Sequence, residues 1–576
     1  MGASGIGRRV RALRPSQKGS AGAVATGIFL SRMTGLARER ALGHFFGTGY
    51  AADAFTAASR IPNLLQNLLG EGVLSASMIP VYSRLLAEGR EKEAGQVAGA
   101  LAGLLAAAVG TLVALAILFA RPLTAVLAPG LAPVTFELTV TLLRIITPGV
   151  GFLVMSAWCL GVLNSHRRFF LSYVAPVLMN VAQISVLVAA VGVLADVNLT
   201  GETSPSAQSS LLLWLGWGTV VGGALQFALQ VPAVWRVAPG VRPSLRTDLP
   251  GVHRTVRSFV PVVLGRGVVH ISGYLQLLLA SFLALGALSS LRYAQMLYVL
   301  PVSLFGMSVA AAELPELSAI DPGRRTEMLD RIEKGLARIA FYIAPTMVAY
   351  VLIGDLIVAA VFESGEFDQR DVLQVWLVLA VHAVALLAAT GSRLLQSVIY
   401  GLGEPRIPAR IAAVRVAVSL ALGLVLMFQF DRVVVGADGL NIVGDLPAVT
   451  PMPERFREPT GDGRHHLGAV GLSLAAAIAA WIEYRLLRQA VRRRVAPVSI
   501  GGGYIRPILV AAAVSGVVGL STRAIVDEWM PVLAAIASMG SVGAVYLVGA
   551  RLLGVPESRQ LVRFLRLTRS GRMDRP

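Results

Sequence analysis

Residues 29–40 read FLSRMTGLARER, and the fold turns on whether this stretch is a loop or a membrane span. Arg32, Arg38, Glu39 and Arg40 interrupt what is otherwise the first hydrophobic segment of the chain. A helix rising about 1.5 Å per residue through a hydrocarbon core of about 30 Å would carry Arg32 to mid-depth. An arginine there costs at least about 2.5–3.5 kcal/mol unless it faces protein or water.

The remainder of the chain sets the class. Of 576 residues, 55% are hydrophobic and 15% charged, with a mean hydropathy of +0.68; soluble domains carry about 25% charged residues. Strongly apolar segments recur at 98–120, 145–163, 171–195, 211–235, 337–362, 372–392, 411–428, 467–482, 504–520 and 531–550. A soluble core has no use for so many helices that are apolar all round. The sequence therefore describes an all-α polytopic membrane protein. A single cysteine, Cys159, excludes an intramolecular disulfide and a cysteine-based metal site, and the seven histidines show no local ligand spacing, so no metal is expected. No GxxxxGK[ST] motif is present, so transport would be passive or driven by the membrane potential or a monovalent cation, with no cofactor. Arg8, Arg9, Arg11, Arg14 and Lys18 precede the first apolar stretch without a cleavage site and read as a basic cytoplasmic tail, residues 1–20.

Lysine and arginine fix the topology. Adding weaker segments near 22–43, 53–83, 257–285 and 291–318 gives fourteen spans. With the N-terminus inside, 36 basic residues fall on the cytoplasmic side and seven on the other, the remaining eight of 51 lying within spans. That asymmetry supports fourteen crossings with both termini cytoplasmic. It also assigns the net charge of +18 to membrane-surface anchoring rather than to nucleic acid. Residues 429–467, rich in Gly, Pro and Asp, are expected to form a long outside loop.

The chain repeats itself. Pro62 and Pro301 lie 239 residues apart, and the turns at Gly161 and Gly401 lie 240 apart. Two agreeing offsets predict two homologous six-helix lobes, 21–240 and 241–490. Helices 13 and 14 follow over 491–553, then a basic cytoplasmic tail over 554–576. Such a parallel repeat is one arrangement by which transporters rock around a midplane site.

The first two spans concentrate Arg32, Arg38, Arg40, Asp53, Arg60, Asn63, Gln66, Asn67 and Glu71. Arg32 and Arg38 stand about 120° apart around a straight helix, so both would border only a wide cavity unless Gly27 or Gly35 bends the axis. Arg32 either pairs with Glu39 or Glu71 or awaits an anionic substrate. Arg60 precedes Pro62, where a broken hydrogen-bond ladder exposes backbone. Arg266 and Arg292 supply charge in the second lobe. Planar, bidentate guanidinium groups suit a phosphorylated amphiphile better than a cationic drug.

The stretch FLSRMTGLARERALGHFFGTGYAADAFTAASRIPNLLQNLLGEGVLSASMIPVYSRL, 29–85, resembles the N-terminal signature of the MurJ (MviN) family of lipid II flippases. The resemblance continues through LLRIITPGVGFLVMSAWCLGVLNSHRRFFLSYVAPVLMN and more weakly to the end. It implies the multidrug/oligosaccharidyl-lipid/polysaccharide exporter fold, alternating access, and translocation of undecaprenyl-pyrophosphate-linked peptidoglycan precursor across the bacterial cytoplasmic membrane. Membrane lipids and the cell-wall synthesis machinery are the partners it implies. Ser31, Arg32, Arg38, Asp53, Asn63 and Glu71 match motif positions. Arg32 and Arg38 correspond to arginines the family needs for activity, and Arg60 to a commonly basic position. Two departures stand out: Gln66-Asn67 replaces an arginine pair, and Gln295-Met296 replaces an Asp-Arg pair. Arg266 and Arg292 are expected to restore the lost charge. Competing readings are a flippase for another lipid-linked oligosaccharide, such as O-antigen or exopolysaccharide, a cation-coupled drug antiporter, and a cell-wall scaffold without transport.

Overall fold

The computed structural model describes residues 17–194, 204–238, 240–307, 309, 324–436, 439–453, 465–497 and 502–559, with the side chains of 17–25 and 264–272 outside the description. The two terminal basic tails fall largely outside it. Nine described helices are long and apolar enough to cross a membrane, ten if Gln369–Val384 and Leu386–Gly401, bent by 42°, form one broken span. They cover the ten strongly apolar segments read from the sequence. The described parts of the four weaker segments are largely helical but fall short of that length or apolarity, and the count of fourteen rests on the charge asymmetry.

The chain divides into two compact units, Met1–Leu278 and Leu279–Pro576. The first opens with α1 (Gln17–Phe46), an uninterrupted 30-residue helix. Three short helices follow, α2 (Tyr50–Ala58), α3 (Arg60–Leu69) and α4 (Glu71–Ala87). Longer ones come next: α5 (Glu91–Leu118), α6 (Ala120–Leu127), α7 (Pro133–Ser165), α8 (Phe169–Val193), α9 (Pro205–Val237) and α10 (Pro250–Ala280). The core is centred on α7, whose Trp158 donates from Nε1 to the Ala98 carbonyl of α5 at 3.1 Å. Gly99 and Gly103 let the connector after α9 lie flat on α5. A Cβ at either would stand 2.2 Å from the carbonyl oxygen of Arg242 or Ser244.

The sequence suggested one span over 53–83 with Pro62 breaking its middle. Instead the chain breaks at Ser59 and at Gly70, and Pro62 occupies the first turn of α3. A proline costs little there, because that turn's N–H groups have no helical partner. Gly70 permits the second break: a Cβ would lie 2.2 Å from the Gln66 carbonyl oxygen.

The second unit begins within the last residues of α10. It contains α11 (Ala287–Pro301) with a π-helical turn at Val302–Met307, α12 (Arg325–Leu352), α13 (Gly354–Phe362), α14 (Gln369–Val384), α15 (Leu386–Gly401) and α16 (Arg406–Asp431). After a small sheet come α17 (Gly468–Arg494), α18 (Gly502–Ile525) and α19 (Pro531–Leu552). The last two pack on each other and on α12, where the Tyr546 hydroxyl donates to the Phe341 carbonyl at 2.6 Å.

Residues 429–467 are not the plain loop expected. β1 (Val433–Gly436) pairs antiparallel with β2 (Gly439–Ile442) and, on its other edge, with β3 (His465–His466). The signal was present in VVVGADGLNI, where β-branched residues lead to Gly436, and Gly436 pairs with Gly439 three residues on.

Candidate functional site

Polar side chains fasten α1 to its neighbours. Asn180 of α8 donates from Nδ2 to the Ser31 carbonyl at 3.4 Å and to Thr34 Oγ1 at 3.1 Å. One turn on, Gln183 accepts from Arg38 Nη1 at 3.4 Å and donates to Thr219 Oγ1 of α9 at 2.6 Å. Gly27 brings the backbones together, since a Cβ would sit 2.8 Å from Tyr173 Cβ. The glycine expected to bend α1 is thus a contact point, and α1 stays unbroken.

This anchoring separates the two motif arginines. Arg38 is drawn inward: its Nη2 lies 2.5 Å from Glu39 Oε1, and the pair retains 24% and 8% side-chain exposure. Its Nε is buried and has no hydrogen-bond partner. Arg32, by contrast, is exposed and makes no hydrogen bond or ion pair with any described residue. Glu39 therefore serves Arg38, not Arg32. Fifteen residues separate Arg32 from Gln17 and fourteen from Phe46, so it sits at the centre of the helix. Exposed Phe29 lies about one turn before it and exposed Met33 directly follows it.

Asp53 is 4% exposed within α2, every residue of which is buried. It is part of the packed interior rather than an open binding face. Arg60 is half-buried, and its carbonyl accepts from the Tyr274 hydroxyl of α10 at 3.3 Å, so α10 takes up backbone freed at the α2–α3 break. Asn63, Gln66 and Asn67 are exposed along α3 at helical spacing. Glu71 is exposed in the first turn of α4, where an acid favours the helix dipole.

In the second unit, Arg292 is half-buried with its guanidinium carbon 5.9 Å from the Tyr293 ring centroid. Gln295 and Met296 follow three and four residues on, the positions next to it on a helix surface. Arg266 belongs to α10, but its side chain lies outside the described residues.

The sequence reading missed the groups that orient α1. Asn180 and Gln183, one helical turn apart in an otherwise apolar span, were the available signal. It also missed a buried cluster in the second unit. Glu483 of α17, 3% exposed, accepts from Arg415 Nη1 of α16 at 3.0 Å and from Gln396 Nε2 of α15 at 3.0 Å. The Arg415 side chain, 43% exposed, reaches this buried carboxylate from the edge of the bundle.

Comparison with known proteins follows from this geometry. The sequence model described as lipid II flippase MurJ matches residues 42–439, beginning just after the two motif arginines. A probable lipid II flippase MurJ of Bdellovibrio bacteriovorus is 32% identical over 437 residues, 75% of this chain and 79% of that protein. The lipid II flippase MurJ of Burkholderia cenocepacia is 30% identical over 390 residues, 66% of this chain and 73% of that one. Among solved structures, a lipid II flippase MurJ in an inward closed conformation shares the fold, with a TM-score of 0.68 at 19% identity over 94% of this chain and 99% of that one. A MOP superfamily transporter from Pyrococcus furiosus gives 0.51 at 15% identity, covering 85% of this chain and 98% of that one.

Proposed function

The chain belongs to the MurJ lipid II flippase family, and from that premise we propose that it moves lipid II from the inner to the outer leaflet of the bacterial cytoplasmic membrane. No bond is made or broken. The chain lowers the barrier for a pyrophosphate and a sugar-peptide head to cross hydrocarbon. Both termini lie in the cytoplasm in this reading, as the 36-to-7 basic asymmetry requires.

The observation that carries the reading is Arg32. A cation at the centre of a long helix, exposed and without a described partner, is unfavourable in lipid unless it meets water or an anion. A diphosphate satisfies it by paired N–H···O⁻ contacts, which a hydrophobic cation cannot do. Arg60 and the exposed amides Asn63, Gln66 and Asn67 extend the same chemistry. Where relatives place an arginine pair, this chain offers neutral donors and acceptors suited to sugar and peptide groups. Arg292 beside Met296 supplies cationic charge in the second unit, and Arg266 adds charge on α10 of the first. Energy comes from the membrane potential or a monovalent cation. The cell-wall synthesis machinery consumes the product.

Complementation tests this. A bacterium depleted of its own lipid II flippase should grow with the wild-type chain and lyse with Arg32→Ala expressed at equal level. Rescue by Arg32→Ala, or failure of well-expressed wild type, overturns the assignment; in the latter case a flippase for another lipid-linked oligosaccharide replaces it.

A further inference from the structure

We propose that Asp368, Asp371 and His465 form a binding site for a divalent cation of the zinc class, which ties the small sheet of the second unit to the start of α14. The proposal is independent of the transported substrate.

The chain builds the site from two directions. After α13 a tight turn, closed by a bridge between Ser364 and Phe367 with Gly365 at φ 58°, returns the backbone to α14. Asp368 caps that helix, its carboxylate accepting from the N–H groups of Arg370 and Asp371 at 2.8 and 3.0 Å. Asp371, in the first turn, is 4% exposed. From the other side β3 delivers His465. Its alternate neighbour His466 points into the interior, where Nδ1 lies 2.7 Å from the Asp431 carbonyl oxygen. Gln374 fixes the strand by donating to the His466 carbonyl at 3.0 Å.

One ligand atom from each of Asp368, Asp371 and His465 falls within 4.8 Å of the others, the one such group among the described residues. His465 Nδ1 lies 3.6 Å from Asp371 Oδ1. Two ligands bonded at about 2.1 Å in a tetrahedron stand about 3.4 Å apart, so this pair is already at bridging distance. The Nδ1–H of His465 donates to Gln374 Oε1 at 3.1 Å, so binding through that nitrogen releases the proton and leaves the amide oxygen beside the ion. An imidazole with two carboxylates favours zinc over magnesium or calcium, which prefer oxygen alone.

Charge points the same way. Residues 363–371 hold Glu363, Glu366, Asp368 and Asp371 against Arg370 alone, in a chain of net charge +18. Glu363, in the turn beyond α13, has its carboxyl pushed above the usual range, first by burial and then by the charge of Asp368. The local field is therefore negative and suits a cation. Local spacing hid the site, because His465 lies 94 residues beyond Asp371.

Full-length protein in detergent, stripped with EDTA and titrated with zinc chloride, is expected to bind one equivalent with a rise in Tm. Asp368→Asn keeps a good helix cap, and His465→Gln alters a ring that is 20% exposed. Each should weaken zinc binding at least tenfold and remove the Tm rise, with the metal-free Tm near wild type. Absence of saturable zinc binding overturns the proposal. So does wild-type affinity in both variants, which places the metal on other histidines, or magnesium binding as tight as zinc.

Discussion

Replacing Arg32 and replacing Arg38 should separate function from stability. Arg32→Leu removes a charge that makes no hydrogen bond or ion pair with any described residue. No described polar interaction is lost with it, and about 2.5–3.5 kcal/mol of membrane cost is relieved. The variant should therefore be as stable as wild type or more so, while transport is abolished. Arg38→Leu takes the guanidinium from Glu39, 2.5 Å away, and from Gln183. Breaking a buried pair costs about 3–5 kcal/mol, and the lower end applies because Arg38 keeps 24% exposure. Arg38→Lys retains the charge but loses the hydrogen bond to Gln183, about 1 kcal/mol. Thermal unfolding in a fixed detergent, read beside complementation at matched expression, gives the order. Arg32→Leu should unfold at or above the wild-type temperature, Arg38→Lys slightly below it, and Arg38→Leu lowest. If Arg32→Leu unfolded as early as Arg38→Leu, Arg32 would be a structural residue and the substrate argument would fail.

Other outcomes follow from the same geometry. Arg415→Met should destabilise the second unit by about 3 kcal/mol, because Glu483, 3% exposed, would keep only Gln396; adding Glu483→Leu should recover most of the loss, measured as a double-mutant cycle by thermal unfolding. Gly103→Val should prevent accumulation of folded protein, since even a Cβ meets the Ser244 carbonyl oxygen at 2.2 Å; fluorescence-detected size exclusion reads this directly. His166, just beyond α7, lies 2.9 Å from the Tyr82 hydroxyl, and burial holds its pKa below the usual value, only partly offset by Glu91. The unfolded chain then binds more protons below about pH 6.5, so stability should fall as pH drops through that value. His166→Gln should flatten that slope in unfolding midpoints measured between pH 5 and 8.

Hydropathy is a local property, and the ten strongly apolar segments were legible for that reason: each lies on helix whatever its neighbours do. What the sequence concealed depends on partners distant along the chain. Pro62 looked like a mid-span break, but the breaks fall at Ser59 and Gly70, set by how α2 and α3 pack. Arg38 looked equivalent to Arg32 until Gln183, 145 residues away, drew it inward. The sheet after α16 was readable in part from its turn, whereas its third strand returns only at His465.

The least apolar helices are also where the candidate site lies, and the two facts share one cause. A helix that must expose Arg32 cannot be held by apolar packing on that face. α1 is instead held by Asn180, Gln183, Thr219 and the close approach at Gly27. Interhelical hydrogen bonds of this kind contribute about 0.6 kcal/mol each, up to about 1.7. The attachment is therefore the sum of several weak, replaceable contacts. Asn180→Leu and Gln183→Leu together should lower the unfolding temperature modestly and impair transport even with Arg32 intact. Transport at the wild-type rate in that double variant would show that the orientation of α1 does not matter, and the reading of Arg32 as a positioned cation would have to be given up.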